Sequence, residues 1–183
     1  MQRKSIKIRF VQGLCTEACA MLLGKIVNES GVECDFTISE VTPSDADTLQ
    51  DMVTSCALYV GDDLYDGIKD GTADKALLLI RKLCVAVRYA ISGFKMTVDY
   101  GQGETETDCT LSIKVKNGHI HLPLDIPDKK LERFISISFS ILFDKPCDDE
   151  LLVYFDTPSS SAICETKDEY VRRKYFESGE AQG

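Results

Sequence analysis

From Phe94 the hydrophobic pattern of the chain changes from period 3.6 to period two, and that change limits the fold more than any other feature. Before it, the longest periodic stretch, DGTADKALLLIRKLCVAVRYAISG, puts Ala76, Ile80, Leu83, Cys84, Val87 and Ile91 on one helical face and stops at Gly93. After it, FKMTVDY, CTLSIKVK, HIHLPL, FISISFSILF and ELLVYF read with period two and predict five strands. Asn117-Gly118 is the strongest short hairpin signal. Counting outward from it pairs Val115 with Ile120 and Ile113 with Leu122, and sets Lys116 against His119 and Lys114 against His121. Ile135, Ile137, Phe139, Ile141 and Phe143 alternate with Ser136, Ser138 and Ser140 to give another apolar face. The second half is therefore expected to be an antiparallel, β-rich region.

The first half mixes both periods. Ile6, Ile8 and Phe10 alternate with Lys7 and Arg9, which predicts a half-buried strand. A helix is expected over 16–28, with Leu14, Ala18, Met21, Leu22 and Ile26 in one stripe and Gly31 as its stop. Val32, Cys34, Phe36 and Ile38 mark a second strand. Thr42-Pro43-Ser44-Asp45 reads as a turn and cap, with a short helix marked by Leu49, Met52, Val53 and Cys56 after it. The segment 64–69 reads as a poor strand, because Asp66 and Gly67 interrupt its alternation.

Composition narrows the function classes. The 183 residues, 44% hydrophobic with five prolines, suit one large domain or two small ones. The formal charge is −9 and neither half has a basic balance, which argues against a nucleic-acid partner. No run of about 18 apolar residues suggests a membrane span, and MQRKSIKIRF has no apolar leader core, so a cytoplasmic protein is expected. Eight cysteines without a C-x-x-C pair, most of them in apolar periodic segments, read as reduced, mostly buried thiols.

The wording GLCTEACA, 13–20, at a strand-to-helix junction, resembles the active-site region of the histidine-containing phosphocarrier (HPr) family of the bacterial sugar phosphotransferase system. The similarity runs from about Ile6 to Leu83. It is carried by Gly13-Leu14, Thr16, Ala18 and Ala20, the stretch Asp47-Thr48-Leu49, then Gly61, Gly71 and Ala76-Leu77, with one-residue shifts near Ser55 and Gly71. The resemblance implies an HPr-like open-faced β-sandwich (βαββαβα) over 1–92; with the antiparallel β-rich region that the period-two pattern gives over 93–157, of no recognised family, the expected class is α+β. A polar tail over 158–183 would follow, with a short helix near 165–176 and mobile final residues. It also implies partners among other proteins, those of the phosphotransferase system included, and no cofactor.

In that family a phosphohistidine stands at the N-terminus of the first helix beside an arginine. The matching positions here are Cys15 and Glu17. A carboxylate near a transferred phosphate is unfavourable in sign, and it raises a thiol pKa that the helix terminus tends to lower. A site at Cys15, Thr16 and Glu17 that kept its shape and lost its reaction is the expectation. A phosphocysteine carrier and a thiol-based redox protein, with Cys19 on the same helical side, are the alternatives. The family's regulatory serine, at the start of its second helix, matches Thr48, with Ser44 nearby; both also read as caps. Leu49 and Val53 fall in the partner-contact surface that the resemblance implies.

The other chemistry-bearing groups read as ordinary. His119 and His121 project from one face of a strand but face Lys116 and Lys114 in the expected register, so no metal site is expected there and a solvated polar face is. GQGETETD, 101–108, reads as a loop. Asp148-Asp149-Glu150 and Asp125-x-x-Asp128 read as turn charge.

Overall fold

Seven strands from both halves of the chain align in one mixed sheet. The computed structural model describes residues 4–41, 48–49, 52–53, 55–99, 104–145 and 150–173. In chain order the elements are β1 (Ser5–Val11), α1 (Glu17–Glu29), β2 (Asp35–Val41), β3 (Thr48–Leu49), β4 (Met52–Val53), β5 (Cys56–Val60), α2 (Asp62–Asp70) and α3 (Asp74–Ile91). There follow β6 (Lys95–Asp99), β7 (Glu104–Asp108), β8 (Leu111–Val115), β9 (Gly118–Leu122), α4 (Asp128–Phe143), β10 (Leu151–Asp156), β11 (Ser161–Thr166) and α5 (Lys167–Arg172). The main sheet runs β11-β10-β9-β8-β5-β1-β2, and among the described residues β3 with β4 and β6 with β7 form two separate two-stranded ladders. Mixed α and β content agrees with the coarse α+β expectation. The sheet crosses the boundary expected near residue 92.

Three strand–helix–strand units join parallel neighbours: β1-α1-β2, β5-α2-α3-β8 and β9-α4-β10. The register sets Ile38 and Leu58 beside Ile8, Ile113 beside Leu58, Ile120 beside Ile113 and Val153 beside Ile120. Strand side chains alternate between faces, so these residues share one face. That face meets Leu23 of α1, Leu83 of α3 and Phe139 of α4 in a continuous core, with α3 packed between α1 and α4. Because all three crossovers cover the same face, their strand order and direction give β9-α4-β10 the opposite hand to the other two units. Crossover hand is otherwise nearly uniform in proteins.

Four expectations for local structure are corrected. FISISFSILF lies in α4: Leu131, Phe134, Ile135, Ser138, Phe139 and Leu142 are its buried residues, a helical spacing that the isoleucine–serine alternation hides. The buried Ser138 hydroxyl donates to the Phe134 carbonyl one turn back, at 2.7 Å, so the helix interior tolerates it. The segment 64–69 is in α2, where Leu64 and Tyr65 turn inward on one helical side. The short helix expected around Leu49, Met52 and Val53 is the hairpin β3-β4. In 101–108, residues 104–108 form β7, paired with β6. The expected order strand–helix–strand–strand–helix–strand–helix thus holds for β1-α1-β2 and departs after it.

The β8-β9 hairpin exists, but two residues out of the expected register: Val115 pairs with Gly118, Ile113 with Ile120 and Leu111 with Leu122. The cause is Asn117. Its side chain is buried, accepting from the Tyr65 hydroxyl at 2.8 Å and donating to the Leu142 carbonyl at 2.9 Å, so it closes the turn from inside. Gly118 serves the sheet: a Cβ there would sit 2.4 Å from the Leu151 carbonyl oxygen of β10.

Candidate functional site

The GLCTEACA segment occupies the turn from β1 into α1. Gln12 N–H donates to the Val41 carbonyl at 2.8 Å and Leu14 N–H to the Val11 carbonyl at 3.1 Å. Gly13 sits at φ 93°, a left-handed conformation that favours glycine. Leu14 is buried and anchors the turn. Thr16 is the N-cap of α1, its hydroxyl accepting from the Cys19 N–H at 3.1 Å. Glu17 is exposed in the first turn, a favourable place for a carboxylate against the helix dipole.

Cys15 is half-buried beside this cap, and its thiol donates weakly to the Thr16 carbonyl, at 3.7 Å. Burial pushes the thiol up to about 11, helped by the neighbouring Cys19 thiol, with which it is hydrogen-bonded, and by the Glu40 carboxylate of β2. At neutral pH the thiolate is then on the order of one part in 10,000, too little for an activated nucleophile. The carboxylate acting on Cys15 is Glu40, from the neighbouring strand; Glu17, two residues away in sequence, is not among the causes. Other thiols crowd the same end of the sheet: Cys56 is pushed well up by burial, then by Cys84, Cys19, Cys15 and Cys109. Cys15, Cys19, Cys34, Cys56, Cys84, Cys109 and Cys164 are free thiols, and Cys147 lies outside the described residues.

The regulatory candidates are in strands or outside the described residues. Thr48 and Leu49 are in β3 and Val53 in β4, so Thr48 begins no helix whose N-terminus would favour a phosphate. Ser44 lies outside the described residues, as do Asp148, Asp149 and the tail from 174; α5 falls within the stretch expected to hold a short helix.

The histidines are half-buried, not on a fully solvated face. Lys114 stands opposite His119 and Ser112 opposite His121, on the sheet face away from α1, α3 and α4. The His119 Nε2 contacts the Glu150 carboxylate, which also meets Lys167 at 3.3 Å. Burial lowers the His119 pKa more than Glu150 raises it. A cavity of about 390 Å³ at the ends of β8 and β9 is lined by both Cys109 and His121. The Cys109 thiol donates to the Phe94 carbonyl at 3.2 Å and His121 Nδ1 lies 3.3 Å from the Ser112 hydroxyl, so the two engage different groups. Asp128 pairs with the buried Arg88, whose guanidinium also donates to the Ile126 carbonyl. Among the described residues no group of three or more His, Cys, Asp or Glu side chains is placed to hold a metal, and no helix is long and apolar enough to cross a membrane.

Sequence reading missed Glu40, Arg88 and Asn117, because each acts across strands or helices far apart in the chain. Only the charge of Arg88 within an apolar helix face, at the spacing of Cys84 and Ile91, signalled a buried partner.

Fold and turn together define a helix-covered mixed sheet with a capped, protonated thiol at one end. No protein-family model, curated protein or solved structure matches the chain.

Proposed function

We propose that this is a regulatory, protein-binding protein without phosphotransfer activity, whose contact surface is the exposed side of α1 and the turn before it. The observation that carries the reading is the state of Cys15: a thiol held protonated by burial, Cys19 and Glu40, in the place where the resemblance puts a phosphohistidine. The sequence has two histidines, both on β9, so the turn has no imidazole of its own to carry a phosphate. What the turn does offer is surface: Met21 is 70% and Leu22 49% exposed on α1, beside the exposed Thr16 and Glu17. Kinship with the phosphocarrier family rests on the sequence wording and on β1-α1-β2. The helix at α2 and the hairpin β3-β4 count against carrying the family's second contact helix over to Thr48 and Leu49.

The test is incubation with phosphoenolpyruvate and the general phosphotransferase of that system, followed by intact mass. Unchanged mass is expected; a phosphoryl gain that disappears in Cys15→Ser overturns the proposal. The redox alternative is tested by the pH dependence of Cys15 alkylation in a Cys34→Ser, Cys164→Ser background. A midpoint near 11 is expected, and one at or below an ordinary thiol value of about 8.5 would favour redox chemistry.

A further inference from the structure

α3 and α4 lie side by side over the sheet, and together they are basic in a chain whose formal charge is −9: they carry seven lysines and arginines against three acids. Arg81 fixes their contact by donating to the Ser136 hydroxyl at 3.2 Å, and Asp128 joins them by taking Arg88 and the Tyr89 hydroxyl. Those polar groups are spent between the helices. Ten residues of the pair are exposed; five are cations, Lys75, Lys82, Lys129, Lys130 and Arg133, and one is an acid, Asp74. Three more, Leu78, Tyr89 and Ile137, are large and apolar. Among the described residues neither the five cations nor the half-buried Glu132 forms an ion pair.

Neighbouring charge bounds this surface without cancelling it. On α1, Lys25 and Glu29 meet each other at 3.9 Å, and Glu17 lies in the first turn. α2 is acidic and joins α3 through residues 71–73, but its Asp66 pairs with Lys116 and its Asp70 holds the Thr72 hydroxyl. The basic surface therefore begins beyond Lys75. Asp125 precedes α4, and Asp144 and Lys145 follow it. Lys129 and Arg133 stand one turn apart, a like-charge spacing that costs stability and that an acidic partner relieves.

Charge selects an acidic occupant and spacing selects a helical one. Leu78 and Tyr89 are three turns apart on α3, about 16 Å, which a helix laid along the pair matches with residues at i, i+4, i+7 and i+11. An anionic membrane fits less well: charged residues separate the three apolar side chains, and the Tyr89 hydroxyl is held by Asp128.

We propose that the outer surface of α3 and α4 docks an acidic amphipathic helix of another protein, Leu78, Tyr89 and Ile137 meeting its apolar stripe and Lys82, Lys129 and Arg133 its carboxylates. This surface is separate from the α1 surface of the protein-binding reading and stands without it. The probe is the peptide Glu-Leu-Glu-Ala-Glu-Leu-Glu-Ala-Leu-Glu-Ala-Glu-Leu-Glu, stapled to hold it helical and fluorescently labelled, titrated into the full chain and then into the ¹⁵N-labelled full chain. Binding should weaken as salt rises and shift the amides of Leu78, Lys82, Arg133 and Ile137. Lys82→Glu with Arg133→Glu should weaken it about tenfold or more. Leu78→Ser with Ile137→Ser should weaken it several-fold and leave its salt dependence unchanged.

Equal binding of the peptide with lysine for each glutamate, or of one with its leucines spread around the helix, overturns the inference, as does no binding at about 1 mM. Vesicles of phosphatidylserine and phosphatidylcholine that retain the chain but not its Lys82→Glu, Arg133→Glu variant, with no competition from the peptide, assign the surface to a membrane instead. A dimer in sedimentation that the same double variant breaks assigns it to a second copy. Shifts confined to Thr16, Glu17 and Met21 overturn the α3–α4 assignment and leave the α1 reading intact, which the phosphotransfer test addresses by itself.

Discussion

β1-α1-β2 and β9-α4-β10 are the same device, a helix returning the chain to a parallel neighbour, yet they end in opposite conditions. The second is pinned from three sides. Arg88 of α3 holds the Ile126 carbonyl and Asp128 at the start of α4, and the Tyr89 hydroxyl donates to Asp128 at 3.0 Å. Asn117 ties the β8-β9 turn to the end of α4. β11 covers the outer edge of β10, and α5 lies over the far face with Tyr170 against Tyr154, ring centres 5.7 Å apart. The first unit has an apolar seam to α3, a threonine cap and, in β2, the last strand of the sheet among the described residues. Polar cross-links between elements fix the second unit in place, whereas apolar packing and the cap at Thr16 hold the first.

The largest effect expected is in the pinned unit. Phe139→Ala should lower unfolding free energy by about 3–5 kcal/mol in chemical denaturation, since Phe139 is fully buried and touches Tyr65 and Phe143. Arg88→Met comes next. It leaves Asp128 and the Ile126 carbonyl without their cation, but Asp128 is 42% exposed and water can replace part of the loss, so about 2–3 kcal/mol is expected. A loss under about 0.5 kcal/mol would break the comparison, because Arg88 would then pin nothing.

The glycines of the two units sharpen it further. Gly118→Ala collides with the Leu151 main chain and should cost about 2–3 kcal/mol. Gly13→Ala meets nothing within 4 Å and is penalised only by its φ of 93°, by about 1–2 kcal/mol. Equal losses would mean that β10 gives way around the added methyl at Gly118, so that close packing costs no more there than backbone strain does at Gly13. Thr16→Ala should cost about 1 kcal/mol through the lost cap and raise amide exchange in the first turn of α1 alone.

The smallest effect is in pH. The folded His119 pKa is depressed, so the unfolded chain binds more protons between the two values. The stability it contributes is fully present above about 6.5 and is lost as pH falls through the folded value. Glu150, also depressed, acts in the same direction at lower pH. His119→Gln should flatten the stability profile just below pH 6.5 and leave it unchanged above pH 7. Cys15, raised, contributes in the opposite sense: stability present below pH 9 and lost as pH rises towards 11, a loss that Cys15→Ser should reduce.

Legibility followed the distance over which a residue acts. The alternation of Ile6, Ile8 and Phe10, the stripe of α3 and the cap at Thr16 depend on neighbours within a turn or a strand, and all three can be read from order alone. FISISFSILF could not, because its isoleucines and serines satisfy period two while Leu131, Phe134 and Leu142 satisfy the helical period. Only packing against α3 and β9 decides between them. The candidate turn was legible in place and cap and illegible in electrostatics: Glu17 was adjacent in sequence, but Glu40 reaches Cys15 because β2 runs parallel to β1.

The sequence by itself determined which segments are periodic, where glycine and threonine end or begin a helix, and that a cysteine stands just before the first helix. Those are properties of a residue and its near neighbours. The tertiary structure alone decided which strand sits at the edge, which carboxylate faces the thiol and which register Asn117 enforces. Each depends on free energies of burial and pairing summed between segments tens of residues apart, which no local pattern contains.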